Sequence, residues 1–182
     1  ESCRIHISRA ACQAEFPALF QLVAAMNPCP FGYSGDASGR CRCNTEAIRR
    51  YTGRVSGPLI DRIDMHVEVP RLPHAALRGP PGESSAVVAA RVHDARAVQM
   101  ARSGTLNARL AARELERHCT LRPADQLLLE RAIERLGLSA RAWHRILRVA
   151  RTLADLEGRE GIHTAHLTEA IGYRRLDRHR DD

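Results

Sequence analysis

The chain contains no lysine, so arginine supplies all 28 of its basic side chains. A phosphate-binding loop of the Walker A type ends in Lys-Ser or Lys-Thr, and the 182 residues therefore hold no such loop. The sequence also lacks an apolar strand that ends in an Asp-Glu pair able to hold magnesium. These absences predict that the chain alone does not hydrolyse ATP.

Long hydrophobic runs are absent as well. No apolar stretch approaches the roughly 20 residues that span a bilayer, and no signal peptide opens the chain. Three of the six cysteines fall close together and the others are scattered, which is not the pattern of a disulfide-stapled domain. We therefore expect a protein of the reducing cytoplasm with no membrane partner. Because Glu1 leads almost directly into a strand-like stretch, we also expect the chain to be cut from a longer protein.

The composition that remains is typical of a folded, basic protein. Hydrophobic residues make up 44% and charged residues 27% of the chain, which suits one ordinary domain or two small ones. The formal net charge of +7 points to nucleic acid or nucleotide phosphate as a partner. Replacement of lysine by arginine in a GC-rich genome is an alternative explanation, so charge alone decides little.

The pattern of apolar residues predicts strands and one short helix in the first part of the chain. Residues 4 to 8 alternate like a half-buried strand of a hairpin, and Phe20 to Met26 form a continuous apolar run typical of a central strand. A short helix capped by Thr45 is expected at Thr45 to Tyr51, and Met65 to Val69 alternate again as a strand.

These elements predict an α/β region at residues 1–71, followed at 72–83 by a linker rich in Pro, Gly and Arg. The rest is expected to be all-α, with a small helical bundle at 84–176 and a tail at 177–182. Capping residues and a proline in a first turn mark where the helices start. The expected helices begin at Ser84 or Ser85, at Arg109, at Pro123, at Ser139 and at Thr164.

Asn27 is the first candidate site residue, because it stands at the C-terminal end of the expected central strand. Ligands of α/β sheets bind outside the carboxyl ends of the strands, and a short amide there can orient a water molecule or contact a phosphate. An Asn-Pro turn that merely ends the strand is the alternative interpretation.

Arg62 is the second candidate, and it lies between Asp61 and Asp64 in the segment Ser56 to Asp64. Burial of two isoleucines there would fix the backbone so that the guanidinium projects rigidly. Phosphoryl transfer needs such a preset guanidinium from a neighbouring subunit, since it stabilises charge on the γ-phosphate. A local ion pair with either aspartate is the alternative.

An arginine stripe on the fourth expected helix is the third candidate. Arg141, Arg145 and Arg148 are spaced by four and three residues and so share one helix face. No acidic residue between Glu134 and Asp155 neutralises the stripe, and an anionic partner such as nucleotide phosphate would relieve its repulsion. An exposed, solvated arginine face is the alternative.

A cysteine loop is the fourth candidate, with Cys29, Cys41 and Cys43 brought together by a Gly-rich sequence. Thiolates in a reducing compartment suit Zn²⁺, but a closed structural zinc site normally uses four ligands. His66 or Cys12 could complete the set, or the thiols could simply pack together.

Five blocks of the sequence, taken in order, resemble the magnesium-chelatase-like family of AAA+ ATPases, in its ComM-type branch. The resemblance covers nearly the whole chain, and five ordered blocks are far more specific than any one of them. The blocks are Phe16 to Pro30, Cys41 to Cys43, Ser56 to Asp64, Gly82 to Ser85 and Leu138 to Thr152.

The resemblance implies a fold and a set of roles. The chain would be the C-terminal part of an AAA+ P-loop ATPase core followed by a helical lid, in a homo-oligomeric ring expected to be a hexamer. Asn27 would be sensor 1, Arg62 the arginine finger presented to the next subunit, and Arg141 sensor 2 on the lid. ATP with Mg²⁺ would be the cofactor, bound with the help of an amino-terminal half that carries the Walker motifs. The branch resembles DNA branch-migration helicases of natural transformation, which implies DNA as a partner.

The chain also departs from the family pattern. The family usually reads Cys-Pro-Cys-Gly where this chain has Cys29 to Gly32 with Phe31 at the third position, so one expected zinc ligand is missing. Two other functions stay open: a chelatase-type motor that drives metal insertion into a porphyrin, and a truncated, non-catalytic binding module. The cysteine loop argues against the first, and a Walker lysine encoded upstream in the same gene would exclude the second.

Overall fold

The computed structural model describes residues 4–9, 12–36, 38–72 and 78–174. These residues are mostly helical, with one small two-stranded sheet. They divide into two compact units, one ending at Thr52 and the other beginning at Gly53. No helix in the described ranges is both long enough and apolar enough to cross a membrane.

The first unit opens with an antiparallel hairpin, as the alternation of residues 4 to 8 predicts. β1 (Arg4–Arg9) pairs with β2 (Cys12–Pro17) in a register that sets Ile5 opposite Phe16. Both of these side chains, and that of Ile7, are about half exposed. The hairpin is therefore held by its backbone ladder more than by burial of its apolar residues.

Two strand predictions are wrong. Neither Phe20 to Met26 nor Met65 to Val69 forms a strand. A strand needs a neighbouring backbone to satisfy its N–H and C=O groups, and among the described residues only β1 and β2 pair in this way. The apolar side chains of both segments are accordingly exposed, Val23 by 84% and Val69 by 88%.

The short helix α1 (Thr45–Thr52) forms where the capping pattern predicts one, but its cap lies one residue earlier. The side-chain oxygen of Asn44 accepts a hydrogen bond from the N–H of Ala47 at 2.8 Å. Asn44 rather than Thr45 thus satisfies a donor in the first turn. The helix ends at Thr52, one residue after the expected end at Tyr51.

The segment around Pro58 forms a second short helix, α2 (Gly57–Arg62). Proline is accommodated in a first helical turn because its missing N–H would have no intrahelical partner there. The helix has six residues, its C-cap is Ile63, and none of its side chains is buried.

The rest of the second unit is a helical bundle arranged around α6. That helix contacts each of the other bundle helices and the short 3₁₀ helix at Asn107–Arg109. The bundle consists of α3 (Ser85–Ser103), α4 (Ala112–His118), α5 (Pro123–Arg135), α6 (Ala140–Leu156) and α7 (Thr164–Gly172).

The helix starts of the bundle follow the sequence signals closely. Ser84 caps α3 and Ser139 caps α6, and each side chain accepts a hydrogen bond from the backbone N–H three residues later. Pro123 is the first residue of α5, as predicted. The first residue of α7 is Thr164, as predicted, and His163 is its cap. The helix expected from Arg109 is shorter, because a 3₁₀ turn precedes α4.

The bundle has one apolar core, which lies between α6 and the helices around it. Full burial of a leucine or isoleucine side chain stabilises the folded state by about 1.5–3 kcal/mol, so this core supplies most of the favourable energy of the unit. Its largest members are Leu110, Leu115, Leu129, Ile146, Leu147, Ile162 and Leu167.

A buried ionic network joins α3 to α6 beside this core. Arg102 donates to both carboxylate oxygens of Asp155 at 2.6 and 2.7 Å, and Arg151 and the amide of Asn107 bind the same carboxylate. Burial raises the pKa of Asp155, but the hydrogen bonds from Arg102 and Asn107 and the charge of Arg151 outweigh it, so the net pKa is lowered.

Candidate functional site

Asn27 lies in the first unit, exposed, in a segment without regular secondary structure. Its amide borders the turn of the cysteine loop, because a Cβ added at Gly32 would lie 3.7 Å from Asn27 Nδ2. Gly32 has a φ of 84°, which side chains rarely tolerate, so the turn requires glycine there. The strand end on which the prediction for Asn27 depended is not formed.

The cysteine loop brings its three sulfur atoms together. The Sγ atoms of Cys29, Cys41 and Cys43 all lie within 4.8 Å of one another, and Cys29 and Cys41 are 3.7 Å apart. Thiolates at the corners of a zinc tetrahedron with bonds of about 2.3 Å would be about 3.8 Å apart. Three corners of a zinc site therefore fit the residues present.

The fourth corner of this site has no ligand that the structure identifies. Phe31 stands where the sequence resemblance implies a further cysteine, and it is half exposed with its ring 5.5 Å from that of Tyr33. His66, one expected completion, belongs to the second unit, where its Nε2 lies 3.3 Å from the carbonyl oxygen of Ile60. Cys12 is the other residue expected to complete the site, and its side chain lies outside the described residues.

Within the cysteine loop, the pKa values of Cys29 and Cys43 are shifted in opposite directions. Burial raises the pKa of Cys29, but hydrogen bonds from the backbone of Ser34 and Tyr33 and from the other two thiols outweigh it and lower the pKa from 9.0 to about 7. The backbone of Phe31 lowers the pKa of Cys43, but burial and the neighbouring Cys29 sulfur outweigh that contribution, so the net pKa is raised. Of these two thiols, Cys29 loses its proton at the lower pH.

Arg62 is the last residue of α2, and its side chain is exposed. Its Nη1 donates a hydrogen bond to the carbonyl oxygen of Pro58 at 2.9 Å, within its own helix. The two aspartates beside it are directed to α6 instead: Asp61 accepts a hydrogen bond from Ser139 Oγ at 2.9 Å, and Asp64 lies 3.6 Å from Arg145 Nε. The structure therefore does not form the local ion pair that was the alternative interpretation of Arg62.

The arginine stripe of α6 does not form a single anion-binding surface. Arg141 is exposed in the first turn. Arg145 is only 8% exposed and donates to the carbonyl oxygen of Asp61, while Arg148 donates to the carbonyl oxygen of Leu110 at 2.7 Å. Backbone carbonyl groups, which no charge count can reveal, accept hydrogen bonds from two of the three arginines, and Arg145 also faces the carboxylate of Asp64, so this part of the prediction is wrong.

Arg174 is a site residue that the sequence pattern did not single out. It is 1% exposed, and its Nη1 donates to the carbonyl oxygen of Ile63, next to Arg62. The preceding residue, Tyr173, accepts a hydrogen bond from the backbone N–H of His66 at 2.8 Å. The partners are more than a hundred residues apart in sequence, so no local signal could have identified the contact.

A separate cleft of about 230 Å³ lies between α4, α5 and α6, with both apolar and polar side chains in its lining, among them Leu115, Cys119, Trp143 and Glu116. Burial raises the pKa of Cys119 to about 11, although Arg151 and Arg102 act against it. The thiol of Cys119 therefore stays protonated at neutral pH and is a poor nucleophile or metal ligand.

Two family models match the chain in succession. The model described as magnesium chelatase, subunit ChlI, matches residues 1–77. The model described as magnesium chelatase, subunit ChlI C-terminal, matches residues 82–174.

The chain is also similar to several longer bacterial proteins. Competence protein ComM of Haemophilus influenzae is 50% identical over 181 residues, which are 98% of this chain and 35% of that protein. The uncharacterized protein YifB of Escherichia coli is 46% identical over 181 residues, with the same coverage of 98% and 35%. An uncharacterized protein of Mycobacterium bovis is 37% identical over 178 residues, 96% of this chain and 35% of that protein. The chain thus spans about a third of the length of these relatives.

Proposed function

Because the chain belongs to the magnesium chelatase subunit ChlI family of AAA+ type motors, we propose that it is the C-terminal part of an ATP-driven DNA branch-migration helicase. In this proposal Asn27 is sensor 1, Arg62 is the arginine finger offered to the neighbouring subunit, and Arg141 is sensor 2. Another part of the longer protein carries the Walker motifs that bind ATP and Mg²⁺. The working assembly is a cytoplasmic ring of identical subunits, a hexamer.

The arrangement of Arg62 and Arg141 in the second unit carries the proposal. Both side chains are exposed, one at the end of α2 and the other in the first turn of α6. Ser139, the cap of α6, is hydrogen-bonded to Asp61 beside Arg62 at 2.9 Å. One framework thus presents two guanidiniums, and each can stabilise the charge that spreads over a γ-phosphate during its transfer.

The test of the ATPase roles uses the longer protein that carries this chain. Arg62→Ala should lower ATP turnover by about a thousandfold, because an arginine finger acts on the transition state, and should leave nucleotide binding intact. Arg54→Ala, an exposed arginine three residues before α2, is the matched control and should keep full turnover. Mixing Arg62→Ala subunits with subunits that lack the Walker lysine should restore part of the activity, and no restoration at any ratio would contradict the assignment.

The DNA part of the proposal depends on charge. The net charge of +7 suits a protein that tracks phosphates. Affinity for branched DNA should then fall steeply between about 50 and 200 mM salt, since each phosphate contact releases a counterion. Affinity that does not change over this range would contradict phosphate tracking.

A chelatase-type motor is the second candidate, because both matching family models carry the description of the magnesium chelatase subunit. The two candidates differ in what stimulates ATP turnover. Stimulation by branched DNA without any effect on insertion of Mg²⁺ into a porphyrin supports the helicase. The reverse result supports the chelatase motor.

We also propose that Cys29, Cys41 and Cys43 hold a zinc ion that ties together the two ends of the cysteine loop. The sulfur–sulfur distances support this site, and the missing fourth ligand weakens it. Metal analysis of protein purified without chelator tests the idea. Zinc well below one ion per chain would reject it.

A further inference from the structure

The short helix α2 is fixed by polar contacts rather than by apolar burial. None of its six residues is buried. A helix of this length does not form stably on its own in water, because one or two turns cannot offset the cost of nucleation. Contacts from elsewhere in the second unit must therefore hold it in place.

Two buried arginines of the bundle bind the C-terminal end of α2. Arg145 donates to the carbonyl oxygen of Asp61, and Arg174 donates to the carbonyl oxygen of Ile63. The last carbonyl groups of a helix have no intrahelical partner, and they carry the negative end of the helix dipole. The two guanidiniums satisfy these carbonyl groups and offset that charge.

Side-chain contacts strengthen the same end of α2. Ser139 Oγ donates to Asp61 Oδ1 at 2.9 Å, and Arg174 Nη2 lies 3.7 Å from that oxygen. Arg145 Nε lies 3.6 Å from Asp64 Oδ1. Movement of α2 away from the bundle would leave two buried guanidiniums without these partners, which is strongly unfavourable. The position of α2 is therefore set by α6 and by the end of α7.

The same contacts connect the segments that carry Arg62 and Arg141, the two residues that would act on nucleotide. Arg145 stands one helical turn after Arg141 on α6, and Asp61, which it binds, is next to Arg62 in the chain. Because the Arg62 guanidinium rests on the carbonyl oxygen of Pro58, its direction follows that of α2.

We propose that Arg145 and Arg174 are positioning residues, which clamp α2 onto the lid and so set the direction in which Arg62 reaches the neighbouring subunit. This inference rests on the proposed function of Arg62 as an arginine finger. A movement of α6 that follows nucleotide binding at Arg141 is then carried directly to Arg62. The occupancy of one nucleotide site thereby sets the competence of the next site around the ring.

The test uses lysine substitutions in the longer protein. Arg145→Lys and Arg174→Lys keep the positive charge but lose the forked guanidinium that spans a carbonyl group and a carboxylate together. We expect kcat for ATP to fall at least about tenfold, with KM changed less than about twofold, because the clamp acts on the transition state and not on nucleotide binding. Arg148→Lys is the matched control, since Arg148 lies on the same helix but binds Leu110; it should keep its kcat.

Subunit mixing separates a misdirected finger from a folding defect. Arg145→Lys subunits keep their own nucleotide site, so mixing them with subunits that lack the Walker lysine should restore turnover, whereas a misfolded subunit gives no restoration. The double variant Arg62→Ala with Arg145→Lys should be no slower than Arg62→Ala alone, because the clamp acts through Arg62. A double variant slowed by the product of the two single effects overturns the proposal.

The outcomes also separate this inference from the proposed function. If Arg62→Ala loses turnover while both lysine variants keep it, the clamp is wrong and the finger assignment stands. If Arg62→Ala keeps turnover, the proposed function itself fails. If the lysine variants do not fold, Asp64→Asn serves as the test instead. Asp64 is exposed, and this substitution removes one of the contacts of Arg145. Asp64→Asn should lower kcat about twofold, which is a small fraction of the loss expected for a group that acts only in the transition state. An unchanged kcat overturns the clamp.

Discussion

The helical bundle and the first unit of the chain use their apolar residues in opposite ways. In the bundle, Leu129 and Leu167 are fully buried, whereas Phe20 and Val23 in the first unit are largely exposed. A helix satisfies its own backbone and needs only one packed face, so neighbouring helices of the bundle complete one another. An extended segment needs the backbone of a partner strand, which Phe20 to Met26 lack among the described residues. The bundle therefore encloses an apolar core, while the described part of the first unit leaves much of its apolar surface exposed.

Removal of the central carboxylate of the bundle should give the largest effect. Asp155→Ala leaves the buried Arg151 and the partly buried Arg102 without this carboxylate, and we expect a loss of about 3–5 kcal/mol in the free energy of unfolding. Chemical denaturation followed by circular dichroism measures it. Asp94→Ala, at an exposed position of α3, is the control and should change stability by less than about 0.5 kcal/mol. Equal effects of the two substitutions would contradict the network.

Truncation of one apolar side chain in each region tests the difference between the bundle and the first unit directly. Leu129→Ala should destabilise the protein by about 2–4 kcal/mol, because it opens a cavity in the closed core. Val23→Ala should cost less than about 0.5 kcal/mol, since its side chain is already in water. The same denaturation measurement serves both variants, and a large loss for Val23→Ala would show that the first unit has a core of its own.

Acid should weaken the bundle through Asp155. Its pKa in the folded state is lowered below the ordinary value of 3.8, so its contribution to stability is complete above that value and is lost as the pH falls through the folded pKa. The melting temperature should therefore stay level down to about pH 5 and then fall. Asp155→Asn should show a shallower fall, and an unchanged slope would mean that other carboxyl groups dominate. Asp125 and Glu157 also have lowered pKa values and account for the remaining acid dependence.

The smallest expected effect lies in the cysteine loop. Phe31→Cys supplies a fourth thiol at the position where the family has one, and it should tighten zinc binding at least about tenfold, or about 1.4 kcal/mol. Competition with a chromogenic chelator measures the affinity. Phe31→Ser removes the ring without adding a thiol and should give no gain; an equal gain from serine would show that relief of crowding, and not ligation, is responsible.

Local signals allowed the helical part of the fold to be predicted from sequence. Ser84, Pro123 and Ser139 mark helix starts through contacts within one turn, and these starts are confirmed. The hairpin is likewise local, because its strands are adjacent in the chain. The two strand predictions failed because a strand needs the backbone of a partner that local sequence does not reveal, and the described residues pair only β1 with β2.

The candidate site was harder to predict, for a related reason. The spacing of Arg141, Arg145 and Arg148 correctly placed them along one side of a helix but could not show which of them would be buried. Burial of Arg145 depends on carbonyl groups contributed by a segment more than eighty residues earlier. A count of ionised side chains does not show hydrogen bonds to backbone oxygen or contacts between residues far apart in sequence, and Arg174 was missed for the same reason.

Trp143, which lines the cleft between α4, α5 and α6, is the only tryptophan in the chain. Its indole emission therefore reports on the bundle alone within these 182 residues, without a contribution from the first unit. Loosening of α6 from α4 and α5 would wet the ring and shift its fluorescence to longer wavelength. The bundle thus carries an intrinsic optical probe that can follow movement of α6 against α4 and α5 in real time without an added label.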